Sequence, residues 1–281
     1  MMSQKSYDGK NSVYVIPTPI GNMDDITVRA LNTLKLVDVI FCEDTRVTGN
    51  LLKYFDIKKK LISSHNYNEE NNINKLLKYL NDGLNIGIVS DRGTPIISDP
   101  GYTLVKKAID NNYNVISLPG ATALIPALTS SGLNPNSFLF YGFLDSKKSH
   151  RIKQLEQLKY LEHTLIIYEA PHRIVDTLND MLNILGNRHI SISREITKKY
   201  EEIYRGYLSD IINQVKDIKG ELVIVVEGNL EKEDYSDIDL IDHIELYINK
   251  GMKAMEAIKQ VAKDRNMKKS DVYSAYQNRG D

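Results

Sequence analysis

Short β-branched runs alternate along the chain with stretches whose apolar residues recur every three or four positions. Val13–Ile16, Val37–Cys42, Lys60–Ser63, Ile86–Ser90 and Val115–Leu118 read as strands. Between them, Ile26–Lys35, Leu51–Phe55, Ile73–Leu80 and Tyr102–Asn111 carry the helical spacing, and Asn81, Asp82 and Gly83 stop the third of these. Strand–helix repetition predicts a mostly parallel sheet with helices on its faces. The rhythm changes after Pro119 and Gly120. Ala121–Ser130, Ser149–Leu161, His172–Leu185 and Ser209–Val215 read as helices. Phe138–Gly142, Thr164–Glu169, Ile190–Arg194, Glu201–Tyr207 and Glu221–Glu227 read as strands of a mixed sheet. An acidic linker over Asn229–Asp239 precedes three helical patterns, Leu240–Asn249, Lys253–Arg265 and Lys269–Tyr276. The pattern predicts domains at residues 12–118 and 119–229 and an acidic linker with a helical C-terminal module at 230–281.

Composition narrows the class. The chain has 281 residues, 42% apolar and 26% charged, enough for a sizeable globular core. Its single cysteine, Cys42, excludes a disulfide framework and a cysteine metal cluster, and fits a reducing compartment. The N-terminus is polar, and no apolar run approaches the ~18 residues a membrane span needs. The expectation is a cytoplasmic protein with no membrane and no metal. Net charge is −1, but Glu231–Glu245 holds seven acids and one lysine, whereas Lys250–Asp281 holds eight basic and four acidic residues. A second basic island contains Lys147, Lys148, Arg151, Lys153 and Lys159. Such islands read either as solvated faces or as local contacts to a polyanion.

In parallel sheets, ligands bind beyond the carboxyl ends of the strands. Those ends are rich in special residues here. Pro17, Pro19 and Gly21 follow the first strand, with Asp25 as a possible helix cap. Glu43, Asp44 and Arg46 follow the second; Asp91, Gly93, Pro95, Asp99, Pro100 and Gly101 follow the fourth; Pro119, Gly120, Ala121 and Thr122 follow the fifth. Any one of these loops reads equally as an ordinary turn; the signal is their convergence on one sheet edge. Neither the dinucleotide nor the P-loop glycine pattern is present, which argues against a nucleotide held by its phosphates.

The motifs VYVIPTPIGN (13–22), DIT-x-RAL (25–31), CEDTR (42–46), HN-x-NE (65–69), SDRGTPIISDPGY (90–102), LPGATA (118–123), YEAPHR (168–173), REITK (194–198) and GELV (220–223) together resemble the tetrapyrrole methylase superfamily of S-adenosylmethionine (SAM) methyltransferases. More closely, they resemble the ribosomal RNA small subunit methyltransferase I family, which 2′-O-methylates a cytidine of 16S rRNA in the decoding centre. The resemblance implies an α/β fold with two domains of the tetrapyrrole methylase type, a cleft between them, and a small helical tail. It implies SAM as cofactor, 16S rRNA or the small ribosomal subunit as partner, and a homodimer. Pro19, Gly21, Asp91, Gly93, Thr94, Pro95, Thr122, Ala123, Tyr168 and Leu222 are the cofactor residues it implies. The chain departs from the family at Arg92, where a small residue is usual, and at Ala121, where a proline is common. Arg92 could point to solvent, meet rRNA phosphate, pair with Asp91 or crowd the cofactor.

Methyl transfer to a ribose hydroxyl requires alignment with the methyl carbon and help with the hydroxyl proton. Candidates for that help are Asp44, His65, Glu69, Glu169, His172, Glu195 and Lys198, with no one of them singled out. His65 and His172 read equally as hydrogen-bonded structural residues. Arg46, Arg173 and Arg194 suit phosphate because the guanidinium fork matches its oxygens; Lys147, Lys148 and Arg151 would extend the RNA footprint. Two other functions stay open: a methyltransferase of tetrapyrrole precursors, since the fold is shared, and a non-catalytic ribosome-assembly binder whose cofactor capacity was lost through Arg92.

Overall fold

The computed structural model describes residues 3–6, 8–64, 69–230, 235, 237–249 and 251–279. The chain divides into two compact units, Met1–Gly228 and Asn229–Asp281. The first unit holds two five-stranded sheets. One contains β1 (Ser12–Val15), β2 (Val39–Cys42), β3 (Lys60–Ser63), β4 (Ile86–Val89) and β5 (Asn114–Ser117) in the order β3-β2-β4-β1-β5. Every pairing in it is parallel. Helices α1 (Val28–Leu36), α2 (Thr45–Tyr54), α3 (Glu69–Asn81) and α4 (Tyr102–Asp110) connect its strands. Both faces are buried, as β2 illustrates: Ile40 and Cys42 pack into one core cluster, Val39 and Phe41 into the other. Side chains alternate across a strand, so a strand covered on both faces must be apolar throughout.

The second sheet is mixed. It contains β6 (Phe138–Phe143), β7 (Thr164–Glu169), β8 (His189–Arg194), β9 (Glu202–Tyr207) and β10 (Leu222–Val226) in the order β6-β7-β10-β8-β9. Only β6 and β7 pair in parallel. Helix α5 (Leu124–Ser131) covers one face, with Ala127 and Leu128 against Ile166, Val223 and Val225. Helices α6 (Lys148–Leu158), α7 (Ile174–Leu185) and α8 (Leu208–Gln214) enclose the other, around Leu165, Ile167, Ile192 and Ile224. The second unit comprises α9 (Leu240–Asn249), α10 (Ala254–Asp264) and α11 (Lys269–Gln277) around a core of its own containing Ile244, Ile258, Val261 and Val272.

Three local expectations are corrected. Asp25 does not cap α1; Thr27 does, accepting from the Ala30 N–H at 3.0 Å, while Asp25 belongs to a preceding 3-10 turn. Helix α2 starts at Thr45 rather than near Leu51, because Asp44 accepts the Arg46 N–H at 2.8 Å and supplies the cap. Helix α5 starts at Leu124 rather than Ala121, and the Thr94 hydroxyl takes the Ala121 carbonyl at 3.0 Å.

Candidate active site

The chain leaves β1 for β2, beyond β4, and leaves β4 for β5, on the far side of β1. The connections from these adjacent strands therefore part in opposite directions, which opens a crevice at their carboxyl ends. Across it the two loops are tied together. Thr18 and Gly93 exchange backbone hydrogen bonds at 2.9 and 3.0 Å, and the Thr18 hydroxyl donates to the Ser90 carbonyl at 3.2 Å. Gly93 sits at φ +79°, and a Cβ there would lie 3.1 Å from the Ile20 side chain, so glycine is required for this approach. Gly120 brings the loop after β5 against Pro17, where a Cβ would come within 2.6 Å of a ring carbon.

A cavity of about 370 Å³ opens beside these loops. The first sheet contributes Ile20, Gly93, Thr94 and Ile97; the segment before α5 contributes Thr122 and Ala123; the second sheet contributes Phe143, Tyr168, Leu222 and Val223. Most of this lining is apolar, which suits an organic ligand with a few polar groups. Tyr168 stands edge-on to Phe140 and Phe143, with ring centroids 4.9 and 5.6 Å away. Burial pushes its hydroxyl pKa up, against the opposing effect of hydrogen bonds to the Thr122 side chain and the Leu124 backbone.

Six of the ten residues expected around a cofactor line this cavity: Gly93, Thr94, Thr122, Ala123, Tyr168 and Leu222. Pro19, Gly21, Asp91 and Pro95 do not. Pro19 and Pro95 are buried turn residues, Gly21 packs against the Lys198 side chain, and the Asp91 carboxylate accepts the Asp44 N–H at 3.0 Å. Arg92 reaches the cavity, but its guanidinium pairs with Glu221 of the second sheet's loops and is 57% exposed.

The residues expected to move a proton are mostly engaged. Glu169 is fully buried; it accepts from the Ala170 N–H at 2.7 Å, from Arg173 at 2.8 Å and from the Thr177 hydroxyl at 2.6 Å. Lys198 lies 2.9 Å from Glu195 and 2.8 Å from Glu221. Burial alone would raise Glu195, but the Glu221 N–H and the Lys198 ammonium outweigh it and hold the carboxyl below its usual range. Asp44 is held down to about 2, first by its hydrogen bond from the Arg46 side chain. His172 is exposed on a 3-10 turn. His65 lies outside the described residues, as does the side chain of Glu69.

The basic residues divide in the same way. Arg46 is 88% exposed, and Lys147 and Lys148 are exposed. Arg151 is not a surface residue: it is buried and bound to Asp180 at 2.6 and 2.8 Å, so the expectation that it meets RNA is corrected. Arg173 is tied to Glu169 and the Leu144 carbonyl, and Arg194 to the Lys219 carbonyl and Glu202. Their forks already have acceptors, which weakens the case for either as a phosphate ligand.

The site also contains residues that local sequence reasoning did not place there: Asp99, Ile97, Ile196 and Glu221. Asp99 had a legible signal, an acid between a strand end and a Pro–Gly turn, but it reads as a turn former. Burial pushes its carboxyl up to about 6, and the Glu43 and Asp91 carboxylates add to the effect. Ile96 and Ser98 flank Ile97 at φ +78° and +67°, conformations that L-residues with side chains seldom adopt and that cluster at functional sites.

Comparison with known proteins agrees with this architecture. Residues 12–212 match the family model for Tetrapyrrole (Corrin/Porphyrin) Methylases. A ribosomal RNA small subunit methyltransferase I from Halalkalibacterium halodurans is 48% identical over 98% of this chain and 99% of its own length. One of the same name from Bacillus subtilis is 46% identical over 97% of each. Among solved structures, the methyltransferase CobJ aligns with a TM-score of 0.59 at 18% identity, covering 78% of this chain and 95% of that one. A uroporphyrin-III-C-methyltransferase from Thermus thermophilus aligns at 0.57 and 16%, covering 78% and 94%. The two sheets, the cleft at the β1 and β4 ends and the near full-length relatives agree, and the chain belongs to the tetrapyrrole (corrin/porphyrin) methylase family, in its ribosomal RNA small subunit methyltransferase I branch.

Proposed function

We propose that this protein is a SAM-dependent methyltransferase that 2′-O-methylates a cytidine ribose in 16S rRNA of the small ribosomal subunit, acting as a cytoplasmic homodimer. The observation that carries the reading is the 370 Å³ cavity at the β1 and β4 ends, in a chain that is 48% identical to a ribosomal RNA small subunit methyltransferase I. The residues fit the cofactor. The volume suits a nucleoside with an amino-acid tail, the walls are largely apolar, and Gly93 leaves a backbone edge with no side chain between it and the ligand. When bound there, SAM supplies an electrophilic methyl group on a sulfonium.

The chain's own residues do the rest. Thr94, Thr122 and Tyr168 hold and orient polar groups, and Ile20, Ile97, Phe143 and Leu222 keep water from the reacting atoms. Arg92 lines the cavity from the first sheet and its guanidinium pairs with Glu221 from the second, so its charge is matched by a carboxylate at the cavity wall. Lys147 and Lys148 are exposed cations left to meet rRNA phosphates; Arg46 is exposed as well, but its fork is already held by the Asp44 carboxylate.

Ribose-methylation mapping on 16S rRNA from a strain lacking this gene tests the reading. One cytidine 2′-O-methyl is expected to disappear and to return on complementation. An unchanged map, with methyl transfer to a tetrapyrrole precursor in vitro, would favour the alternative acceptor.

A further inference from the structure

The second unit carries a surface that the methyl-transfer reading leaves unused. Helices α9, α10 and α11 share one core, and the four residues 265–268 join α10 to α11. Asn266 in that turn sits at φ +50°, a left-handed conformation that asparagine tolerates. Two helices joined by so short a turn are the layout of helix-turn-helix nucleic-acid binders, in which the second helix meets the ligand. Val272 and Tyr276 turn inward, which leaves Lys269, Tyr273 and Gln277, spaced four residues apart, exposed on one side of α11.

Charge on this unit is sorted by element. Asp239, Asp242 and Glu245 stand before or on α9. Lys253, Lys259, Lys263, Lys268 and Lys269 run from the start of α10 to the start of α11, and all five are exposed. Among the described residues, none of the five has an ion pair or a side-chain hydrogen bond. The arginines are engaged instead: Arg265 donates to His243 and to the Tyr235 carbonyl at 3.1 and 2.9 Å, and the Arg279 guanidinium lies 3.4 Å from the centre of the Tyr276 ring. Asp264 accepts from Tyr247 and from Gln260, both at 2.7 Å. Among the described residues of α10, the turn and α11, Glu256 and Asp271 are the exposed acids beside these lysines.

We propose that the lysine-bearing face of α10 and α11 is a docking surface for the phosphate backbone of small-subunit rRNA, an assignment that deepens the rRNA reading above and rests on it. Ammonium groups spread over two helices and a turn neutralise separate phosphates and fix the position of the unit on the RNA. Beside them α11 presents a cation, an aromatic ring and an amide in one row, Lys269, Tyr273 and Gln277. A polyanion with planar bases uses all three, the first on phosphate, the second for stacking and the third on a base edge or a ribose hydroxyl. An acidic peptide uses only the cation. The major groove of A-form RNA is too narrow for a helix, so the contact falls on phosphates beside an open loop whose bases can stack.

The test compares full-length wild type with two variants, Lys268→Gln combined with Lys269→Gln, and Tyr273→Ser. Binding is measured to small ribosomal subunits from a strain lacking the gene and to protein-free 16S rRNA, at about 50 to 200 mM potassium chloride. Wild type must bind the subunits and methylate them; if it does neither, the parent reading falls and this proposal with it. Given wild-type activity, the double lysine variant is expected to bind both RNAs about ten-fold more weakly and to flatten the logarithmic salt slope by about 1.5. Tyr273→Ser should lose about five-fold or more with the slope unchanged, because stacking releases no counterions. All substituted side chains are exposed, so both variants should melt within about 2 °C of wild type and keep its SAM affinity in calorimetry. Lys53→Gln combined with Lys58→Gln removes the same charge from exposed positions of the first unit and serves as the control. Binding by either α11 variant within about two-fold of wild type, or an equal loss in the control, overturns the docking surface and leaves the methyltransferase reading intact. A loss on whole subunits that is not seen on protein-free rRNA makes the partner a ribosomal protein and overturns it as well.

Discussion

Arg151 and Asp180 show how much a residue's partner decides its role. Both side chains are about 95% buried, and the guanidinium meets one carboxylate oxygen through two nitrogens. Arg151→Ala would strand the Asp180 charge, with only the mostly exposed Lys148 ammonium 3.7 Å away. The expected cost is about 3–5 kcal/mol, read as a lower urea midpoint at unchanged slope. Lys147 is four positions earlier and exposed. Lys147→Gln should leave stability within about 0.5 kcal/mol while weakening rRNA binding and flattening its salt dependence. Glu169 behaves like Asp180: Glu169→Ala is expected to cost about 3–5 kcal/mol by leaving Arg173 unpaired, an effect on folding that a catalytic assay alone would misread.

At the scale of the elements, the strand ends carry the design. Helix α2 begins where Asp44 caps it, and Asp91 in turn accepts the Asp44 N–H, so one acid from each of two adjacent strand ends fixes the start of the helix. Asp44→Ala should cost about 0.5–2 kcal/mol in thermal unfolding. Gly120 is the tighter constraint. A methyl group there would overlap Pro17, so Gly120→Ala should push the loops after β1 and β5 apart, cost about 1–3 kcal/mol and weaken SAM binding in calorimetry. Strand and helix positions were largely legible, because β2, β4 and β10 are apolar on successive residues while α2, α4 and α10 repeat every three or four. The first turns of α2 and α5 were not: the first depends on a cap inside a charged cluster, the second on Thr94, 27 residues from the carbonyl it binds.

For the whole molecule, the cleft is bound together by charge from both sheets. Arg92 and Glu221, 129 residues apart, meet; Lys198 joins Glu221 to Glu195; and the Thr197 hydroxyl donates to Asp25 at 2.5 Å. The second unit has its own apolar core, so a chain ending at Gly228 is expected to unfold cooperatively and still bind SAM. At 100 times its dissociation constant the cofactor should stabilise either form by about 2.7 kcal/mol. A truncated chain without a calorimetric SAM signal would show that the cavity depends on Asn229–Asp281.

The sequence by itself determined the α/β elements, the loops at the strand ends and the family, because periodicity and motif spacing are properties of neighbouring residues. It also named Gly93, Thr94, Thr122, Ala123, Tyr168 and Leu222, all of which line the cavity. Only the tertiary structure decided which charged groups are free. Arg151, Arg173, Glu169, Glu195 and Lys198 are each neutralised by an opposite charge, whereas Asp99 faces the cavity unpaired. Pairing is set by distances across the fold, and a carboxylate's chemistry follows from its burial and its neighbours, neither of which a one-dimensional pattern contains.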